Sequence, residues 1–135
     1  APAFRYKIAV PGETLLAEEG LNIVTHLAPG IARQRGRRPG DLPAAASLSR
    51  QALGRRSLFV RSWRPGDRMR PLGLDGSRKL QDIFVDAKVP AGRRAEIPVF
   101  TCGKTIIWIP GYRVGGGWEV KEPAEDNLQI EVSRV

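Results

Sequence analysis

The stretch IPVFTCGKTIIWI, residues 97–109, decides the fold class because it contains two short apolar segments around a turn. Residues 97–101 and 105–109 are rich in β-branched and aromatic side chains, which favour strands. The intervening CGK is short enough to close a tight hairpin. We therefore predict an antiparallel pair of strands here, and a sheet built outward from it.

Further strands are predicted on both sides of this hairpin. Residues 4–10 and 128–134 alternate apolar with polar side chains, the period-2 pattern of a half-buried strand. Residues 21–27 and 56–63 are also strand-like, and PGET at 11–14 is typical of a turn.

One helix interrupts the strands, in the segment GSRKLQDIFVDAKVP at residues 76–90. Ser77 is expected to cap its start, and Pro90 to end it. Arg78 and Asp82, four residues apart, are expected to pair on its polar side. The apolar stripe at i, i+3, i+4 and i+7 consists of Leu80, Ile83, Phe84 and Ala87.

These elements predict an α+β fold, with a mostly antiparallel sheet or small open barrel and one or two short helices packed on it. The second helix would be a short turn at residues 90–96. Residues 28–54 are rich in Arg, Gly, Pro and Ala without a sustained period, so we predict a long, mobile, basic loop there. The length of 135 residues is most simply one domain, residues 1–135.

Composition narrows the class of protein. The chain is 41% hydrophobic and 27% charged, as in ordinary globular proteins. The lone Cys102 excludes an internal disulfide and fits a reducing, cytoplasmic setting. No apolar run approaches the roughly 20 residues that a membrane span needs. The start at Ala1 rather than methionine is consistent with a part excised from a longer protein.

Positive charge is concentrated in the middle of the chain. The net charge is +8, yet residues 33–94 hold 16 Lys/Arg against 5 Asp/Glu, while the remaining residues are net acidic. Arginine, whose planar fork suits phosphate, outnumbers lysine 17 to 5. A coding bias would explain the arginine excess but not its clustering, so we predict a surface that faces a polyanion.

The centre of this basic region is RSWRPGDRMRPLG, residues 61–73. Its prolines disfavour a helix, so the arginines stand on a stiff, turn-rich backbone that can hold them at fixed spacing. Asp67 is expected to cap the RPGDR turn through backbone N–H groups. An alternative remains open, in which Arg61 and Arg68 pair with Asp67 or Asp82 and hold the fold.

No catalytic or metal site is predicted. A glycine-rich phosphate loop is absent from the sequence, and the GGG at 115–117 is interpreted as a simple turn. His26 and Cys102 are each interpreted as structural. Asp82 and Asp86 fit salt bridges of the helix better than acid–base chemistry.

The tryptophans are expected to pack in or beside the core. Base stacking by aromatic rings in RNA-binding modules is the alternative, strongest for Trp63 because of its arginine neighbours. Trp108 and Trp118 are the other two.

The order of these motifs resembles the C-terminal domain of bacterial tRNA(Ile)-lysidine synthetases. The resemblance is clearest over residues 56–113, within a family core at 56–135. Arg78, Gln81 and Ala91 depart from the usual residues, and only Arg78 keeps the charge. The matching positions are Arg61, Pro65, Gly66, Asp67, Arg68, Pro71, Gly73, Gly76, Lys79, Leu80, Asp82, Phe84, Asp86, Lys88, Pro90, Arg94 and Pro98.

The resemblance implies a role in a ligase reaction whose chemistry lies elsewhere. In the family, an N-terminal PP-loop domain uses ATP with Mg and lysine to convert cytidine 34 of a tRNA(Ile) anticodon to lysidine. Its S-G-G-x-D-S signature is absent from this sequence, so this segment is expected to be non-catalytic and to carry no cofactor.

The resemblance implies two partners, the tRNA(Ile) acceptor stem and the N-terminal catalytic domain of the same protein. It implies no contact with a membrane. One alternative is a basic docking module for an acidic domain of the same protein; a weaker one is a generic RNA-binding protein. The predicted tRNA-binding residues are Arg61, Arg64, Arg68, Arg70, Arg78, Lys79, Lys88, Arg93 and Arg94.

We predict that the 135-residue chain alone neither forms lysidine nor binds ATP specifically, because it lacks a phosphate loop and an adenylation motif. Isothermal calorimetry with ATP checks this. Micromolar ATP binding that one point change abolishes would show the prediction to be wrong.

Overall fold

Ten short strands are the main regular structure in a computed structural model, which describes residues 2–33 and 36–135. Two short α-helices, α1 (Arg50–Leu53) and α2 (Leu80–Asp86), and two 3₁₀ helices at Ala17–Glu19 and Ala91–Glu96 accompany them. In chain order the strands are β1 (Arg5–Ile8), β2 (Gly12–Leu16), β3 (Leu21–Ala28), β4 (Ala44–Leu48), β5 (Leu58–Ser62), β6 (Arg68–Met69), β7 (Arg78–Lys79), β8 (Pro98–Cys102), β9 (Thr105–Trp108) and β10 (Asn127–Arg134).

The first sheet has the order β1-β5-β8-β9 and is antiparallel throughout. The predicted hairpin at 97–109 is confirmed, because β8 and β9 pair across a turn at Gly103 and Lys104. Gly103 adopts a φ of 59°, a left-handed conformation that glycine adopts without steric cost.

The second sheet has the order β2-β3-β10-β4 and is centred on the last strand of the chain. All eight residues of β10 pair with β3, and five of them also pair with β4. Leu128, Ile130 and Val132 are fully buried on one face of β10, as the alternation at 128–134 predicts.

The main core lies between the two sheets. Ile23 from the second sheet and Val60 from the first belong to the same buried cluster, together with Phe100 and Trp108. Phe100 and Trp108 pack with their ring centroids 5.2 Å apart. Within the described residues the sheets face each other and do not close into a barrel, so the α+β prediction is confirmed in its open, sheet form.

A second, smaller core covers the outer face of the first sheet. Helix α2 packs there with Leu80, Ile83 and Phe84, the stripe that the sequence predicts, against apolar residues such as Val99 of β8. The 3₁₀ helix Ala91–Glu96 confirms the predicted second helical turn. No helix in residues 2–33 and 36–135 is long and apolar enough to cross a membrane.

The prediction of a long loop over residues 28–54 is wrong where β4 and α1 form. Ala44, Ala46 and Leu48 enter the main core, and the opposite face of β4 is also buried. There the Ser47 hydroxyl accepts a hydrogen bond from the Ala32 N–H, at 2.6 Å. A strand of small residues covered on both faces shows no polar–apolar alternation, which is why the sequence pattern misses it. The loop at 38–41 is hydrogen-bonded to Pro110, so the predicted mobility stays a prediction only for residues 29–33 and 36–37. Residues 34 and 35, which the same prediction covers, lie outside the described residues.

Two local predictions about caps and turns are also wrong. Strand β2 begins at Gly12, inside the segment predicted as a turn at 11–14. Lys79 rather than Ser77 occupies the N-cap of α2, and no side chain caps it. Ser77 instead accepts a hydrogen bond from Arg68, which holds it beside β6.

The expected ion pairs of α2 do not form among the described residues. Arg78 lies in β7, before the helix begins, so the i, i+4 geometry with Asp82 is lost. Asp82 and Asp86 are exposed and have no cationic partner within 4 Å in the described parts of the chain.

We predict that Phe84→Ala lowers the free energy of unfolding by about 3–5 kcal/mol, because the ring is fully buried in the second core. Val85→Ala is the matched control, since Val85 is 54% exposed on the same helix and should change stability by at most about 0.5 kcal/mol. Urea denaturation of both variants makes the comparison. Equal losses would show that α2 is not anchored by its apolar stripe.

Candidate nucleic-acid interface

The first arginine of the basic segment is built into the fold. Because Leu58 and Val60 face the main core, Arg61 points to the other face of β5, where it lies opposite Val99. Its two terminal nitrogens donate to the two carboxylate oxygens of Asp67, each at 2.9 Å. Both side chains are only 11% exposed. The structure therefore agrees with the alternative in which Arg61 holds the fold, and Arg61 does not belong to the exposed cationic surface.

Asp67 connects this arginine to the following turn and helix. Its Oδ2 accepts a hydrogen bond from the Arg64 N–H at 2.7 Å, so the predicted capping role is confirmed. Its backbone N–H donates to the Arg64 carbonyl at 3.0 Å, which closes the turn. Its own carbonyl accepts from the N–H of Leu80, at 2.9 Å, where α2 begins. One residue thus fixes the path of the chain from β5 to α2.

The ribbon formed by β6 and β7 presents three of the predicted cations. Arg68 lies opposite Lys79, and Met69 lies opposite Arg78. Met69 is buried in the second core and anchors the ribbon, while the three cationic side chains are exposed. The Arg68 Nε donates to the Ser77 hydroxyl at 3.0 Å, which limits the freedom of this guanidinium.

A groove runs between this ribbon and the β8–β9 hairpin, and we call it the ribbon groove. Its cationic residues are Arg68, Arg70 and Lys104, and no Asp or Glu of the described parts of the chain lines it. A phosphate oxygen in this groove would meet donors from two directions, because the ribbon supplies the arginines and the hairpin turn supplies the lysine.

The glycine run at 115–117 positions one side of the ribbon groove. The Gly116 N–H donates to the carbonyl of Arg70 at 2.7 Å, and Pro71 forms a bridge with Gly115. A Cβ on Gly115 would lie 3.3 Å from the carbonyl oxygen of Ile106. The run is therefore more than a simple turn: it lets two backbone segments approach closely and holds Arg70 at the groove.

Lys104 is the cation of the ribbon groove that sequence reasoning missed. It lies outside the basic region 33–94, in the turn of the hairpin, 34 positions after Arg70, and lines the same groove as Arg68 and Arg70. The only available signal was its position at a hairpin tip, which does not by itself indicate a partner.

The remaining predicted tRNA-binding residues, Lys88, Arg93 and Arg94, lie beyond the C-terminal end of α2. The seven residues of α2 span roughly 10 Å at 1.5 Å per residue. Lys88 and Arg93 are exposed, whereas Arg94 is half-buried and its Nε has no hydrogen-bond partner. In the described residues Arg61–Asp67 is the single ion pair, so the exposed cations carry charge that no carboxylate neutralises.

The tryptophans and Cys102 pack in or beside the core, whereas His26 does not. Trp63 is half-buried and meets Phe84 edge-on, with ring centroids 5.6 Å apart. Trp108 and Trp118 are buried, and so is Cys102. His26 is exposed on β3. The described residues contain no cluster of three or more His, Cys, Asp or Glu side chains that could hold a metal ion.

The fold is that of a known class of domain. A solved structure described as "Crystal structure of TILS C-terminal domain" superposes with a TM-score of 0.75 and 23% sequence identity. The match covers 99% of this chain and 98% of that one. This likeness establishes the fold.

The sequence establishes the family. Residues 58–132 match the family model described as "TilS substrate C-terminal domain", and this chain belongs to that family. It is 40% identical over 110 residues to a tRNA(Ile)-lysidine synthase of Symbiobacterium thermophilum, covering 78% of this chain and 21% of that protein. It is 36% identical to the synthase of Persephonella marina, covering 98% of this chain and 28% of the relative. The chain thus spans about a fifth to just over a quarter of these relatives.

We predict that Arg61→Ala lowers the free energy of unfolding by about 2–4 kcal/mol, because it leaves the Asp67 carboxylate largely buried without its cation. Salt screens a largely buried ion pair only weakly, so the loss of stability should persist in 1 M salt. Arg64→Ala is the control, because only its backbone contacts Asp67 and its side chain is exposed. Thermal and urea unfolding at two salt concentrations give the measurement; a loss that disappears at high salt would contradict a buried role.

Proposed function

We propose that this chain is the accessory RNA-binding part of a tRNA(Ile)-lysidine synthase and that it binds the acceptor stem of tRNA(Ile). The observation that carries the proposal is the ribbon groove, which is lined by three cationic residues and, among the described residues, by no carboxylate. Arg64, Arg78 and Lys79 extend the exposed charge beside it.

The geometry suits a regular array of phosphates better than a single small anion. A-form RNA has a deep, narrow major groove, so proteins recognise duplex RNA largely by shape and backbone contacts. Short strands, a bridge to the glycine run and a capped turn hold the backbone that carries these arginines. Fixing the backbone before binding lowers the ordering cost that a flexible basic loop would incur.

The chemistry of lysidine formation is assigned to the rest of the protein. The relatives are synthases about four to five times as long as the matched segment, which leaves room for a separate catalytic domain. That N-terminal domain would use ATP with Mg and lysine to modify cytidine 34, while this domain holds the same tRNA at its acceptor stem. The N-terminal domain is therefore the second partner.

We predict a steep salt dependence of tRNA(Ile) binding. If about four to six phosphates are contacted, log affinity should fall with log salt by roughly 0.7–0.9 per contact. Arg70→Ala and Lys104→Ala should each remove about one contact, weakening binding roughly five- to eight-fold at 0.1 M salt. Arg64→Ala and Lys79→Ala should act in the same direction. Fluorescence anisotropy with labelled tRNA(Ile) at several salt concentrations gives both quantities.

The matched control is Arg55→Ala, an exposed arginine outside the ribbon groove. It should leave affinity and salt slope unchanged, and melting curves should show all variants folded. Salt-independent affinity, or ribbon-groove variants that bind like the control, would contradict RNA binding at this face. If the variants instead lost affinity for the separately expressed catalytic domain, the alternative of an intramolecular docking module would be supported.

A further inference from the structure

A second cationic cavity lies at the end of α2 opposite the ribbon, and we call it the C-terminal cavity. Four segments line it: the loop at 38–41, the end of α2, the 3₁₀ helix and the end of β10. Each contributes one cation, namely Arg38, Lys88, Arg93 and Arg134. Two of these, Arg38 and Arg134, lie outside the residues that the sequence predicts.

The charge of this cavity is not neutralised from within. Asp41 and Glu96 also line it, but none of the four cations has a carboxylate within 4 Å among the described residues. The Asp41 carboxylate is already engaged, because its Oδ2 accepts hydrogen bonds from the N–H groups of Arg37 and Arg38, each at 2.9 Å. The cavity therefore favours an anion.

The loop that carries Arg38 is held tightly against the rest of the domain. The Gly40 N–H donates to the carbonyl of Pro110 at 2.7 Å. A Cβ on Gly111 would clash with the Arg38 carbonyl oxygen, and a Cβ on Gly40 would lie 2.7 Å from the side chain of Ile97. Arg38 is thus presented from a backbone that has little freedom to lose on binding.

Lys88 occupies a backbone conformation that glycine would adopt at a lower steric cost. Its φ is 59°, the left-handed conformation that follows many helices. Its N–H donates to the Val85 carbonyl at 3.0 Å, and the Val89 N–H donates to the Phe84 carbonyl at 2.9 Å, which together form a Schellman motif. Glycine adopts this conformation without steric cost, but it would leave no ammonium at the cavity.

We propose that the C-terminal cavity is a second phosphate-binding site, which binds a backbone phosphate of the same RNA that occupies the ribbon groove. This inference rests on the proposed RNA-binding function. Helix α2, roughly 10 Å long at 1.5 Å per residue, lies between the ribbon and this cavity, so one RNA would be fixed at two points rather than one. Two such points define the orientation of the RNA as well as its attachment.

The test compares Arg38→Gln and Arg134→Gln with Arg55→Gln, using labelled tRNA(Ile) at several salt concentrations. Each cavity variant should weaken binding roughly five- to eight-fold at 0.1 M salt and reduce the salt slope by about one contact. The Arg55 variant should bind like the unchanged chain. Melting curves confirm that each variant is folded.

Lys88→Gly separates a binding role from a structural one. Relief of the left-handed lysine should raise the melting temperature by roughly 2–4 °C. Loss of the ammonium should weaken RNA binding in the same variant. A purely structural lysine would instead give higher stability with unchanged affinity, which would count against the proposed site.

The remaining outcomes distinguish the two proposals. If Arg70→Ala weakens binding while Arg38→Gln and Arg134→Gln do not, the ribbon groove is retained and the second site is overturned. If the unchanged chain does not bind tRNA(Ile), the proposed function fails and the second site fails with it as an RNA contact. Titration with inorganic phosphate, followed by amide chemical shifts around the cavity, would then identify a free-phosphate site in its place.

Discussion

The ion pair between Arg61 and Asp67 is the contact on which the functional half of the domain depends. A charge pair withdrawn from water is favourable only when its geometry is good and its other hydrogen-bonding groups are satisfied. Both conditions are met, because the pair is bidentate and each partner makes a further hydrogen bond to the backbone. Arginine suits this position better than lysine, whose ammonium cannot offer two parallel donors.

Within one short segment, this ion pair distinguishes the arginine that stabilises the fold from the arginines that stay exposed to a ligand. Arg61 is used to close the turn, and the same turn leaves Arg64 and Arg68 exposed. The carbonyl of Asp67 then fixes the start of α2, so the ribbon and the helix share one anchor. Cations at both ends of α2 consequently keep a constant separation, which a flexible basic tail could not provide.

The sequence predicts those parts of the fold whose side chains follow a regular period. The hairpin around Gly103, the strand at 127–134 and the stripe of α2 are of this kind. Strand β4 is not, since its small residues are buried on both faces. For the site, the basic segment is visible in the sequence. Two contacts depend on the tertiary structure, because Asp67 pairs with Arg61 and the β8–β9 hairpin places Lys104 at the ribbon groove. Contacts between residues far apart in sequence leave no local pattern.

The central position of β10 has a consequence for how the domain is made. From Leu48 to Asn127 the chain advances 79 positions, yet these two residues belong to adjacent strands of one sheet. Sheets that join distant segments fold slowly, because a long loop must close before its contacts form. During synthesis, β3 and β4 have to wait for β10 to leave the ribosome, with their pairing edges and apolar faces uncovered. The domain is therefore completed late, and until then its second sheet is a candidate for chaperone binding.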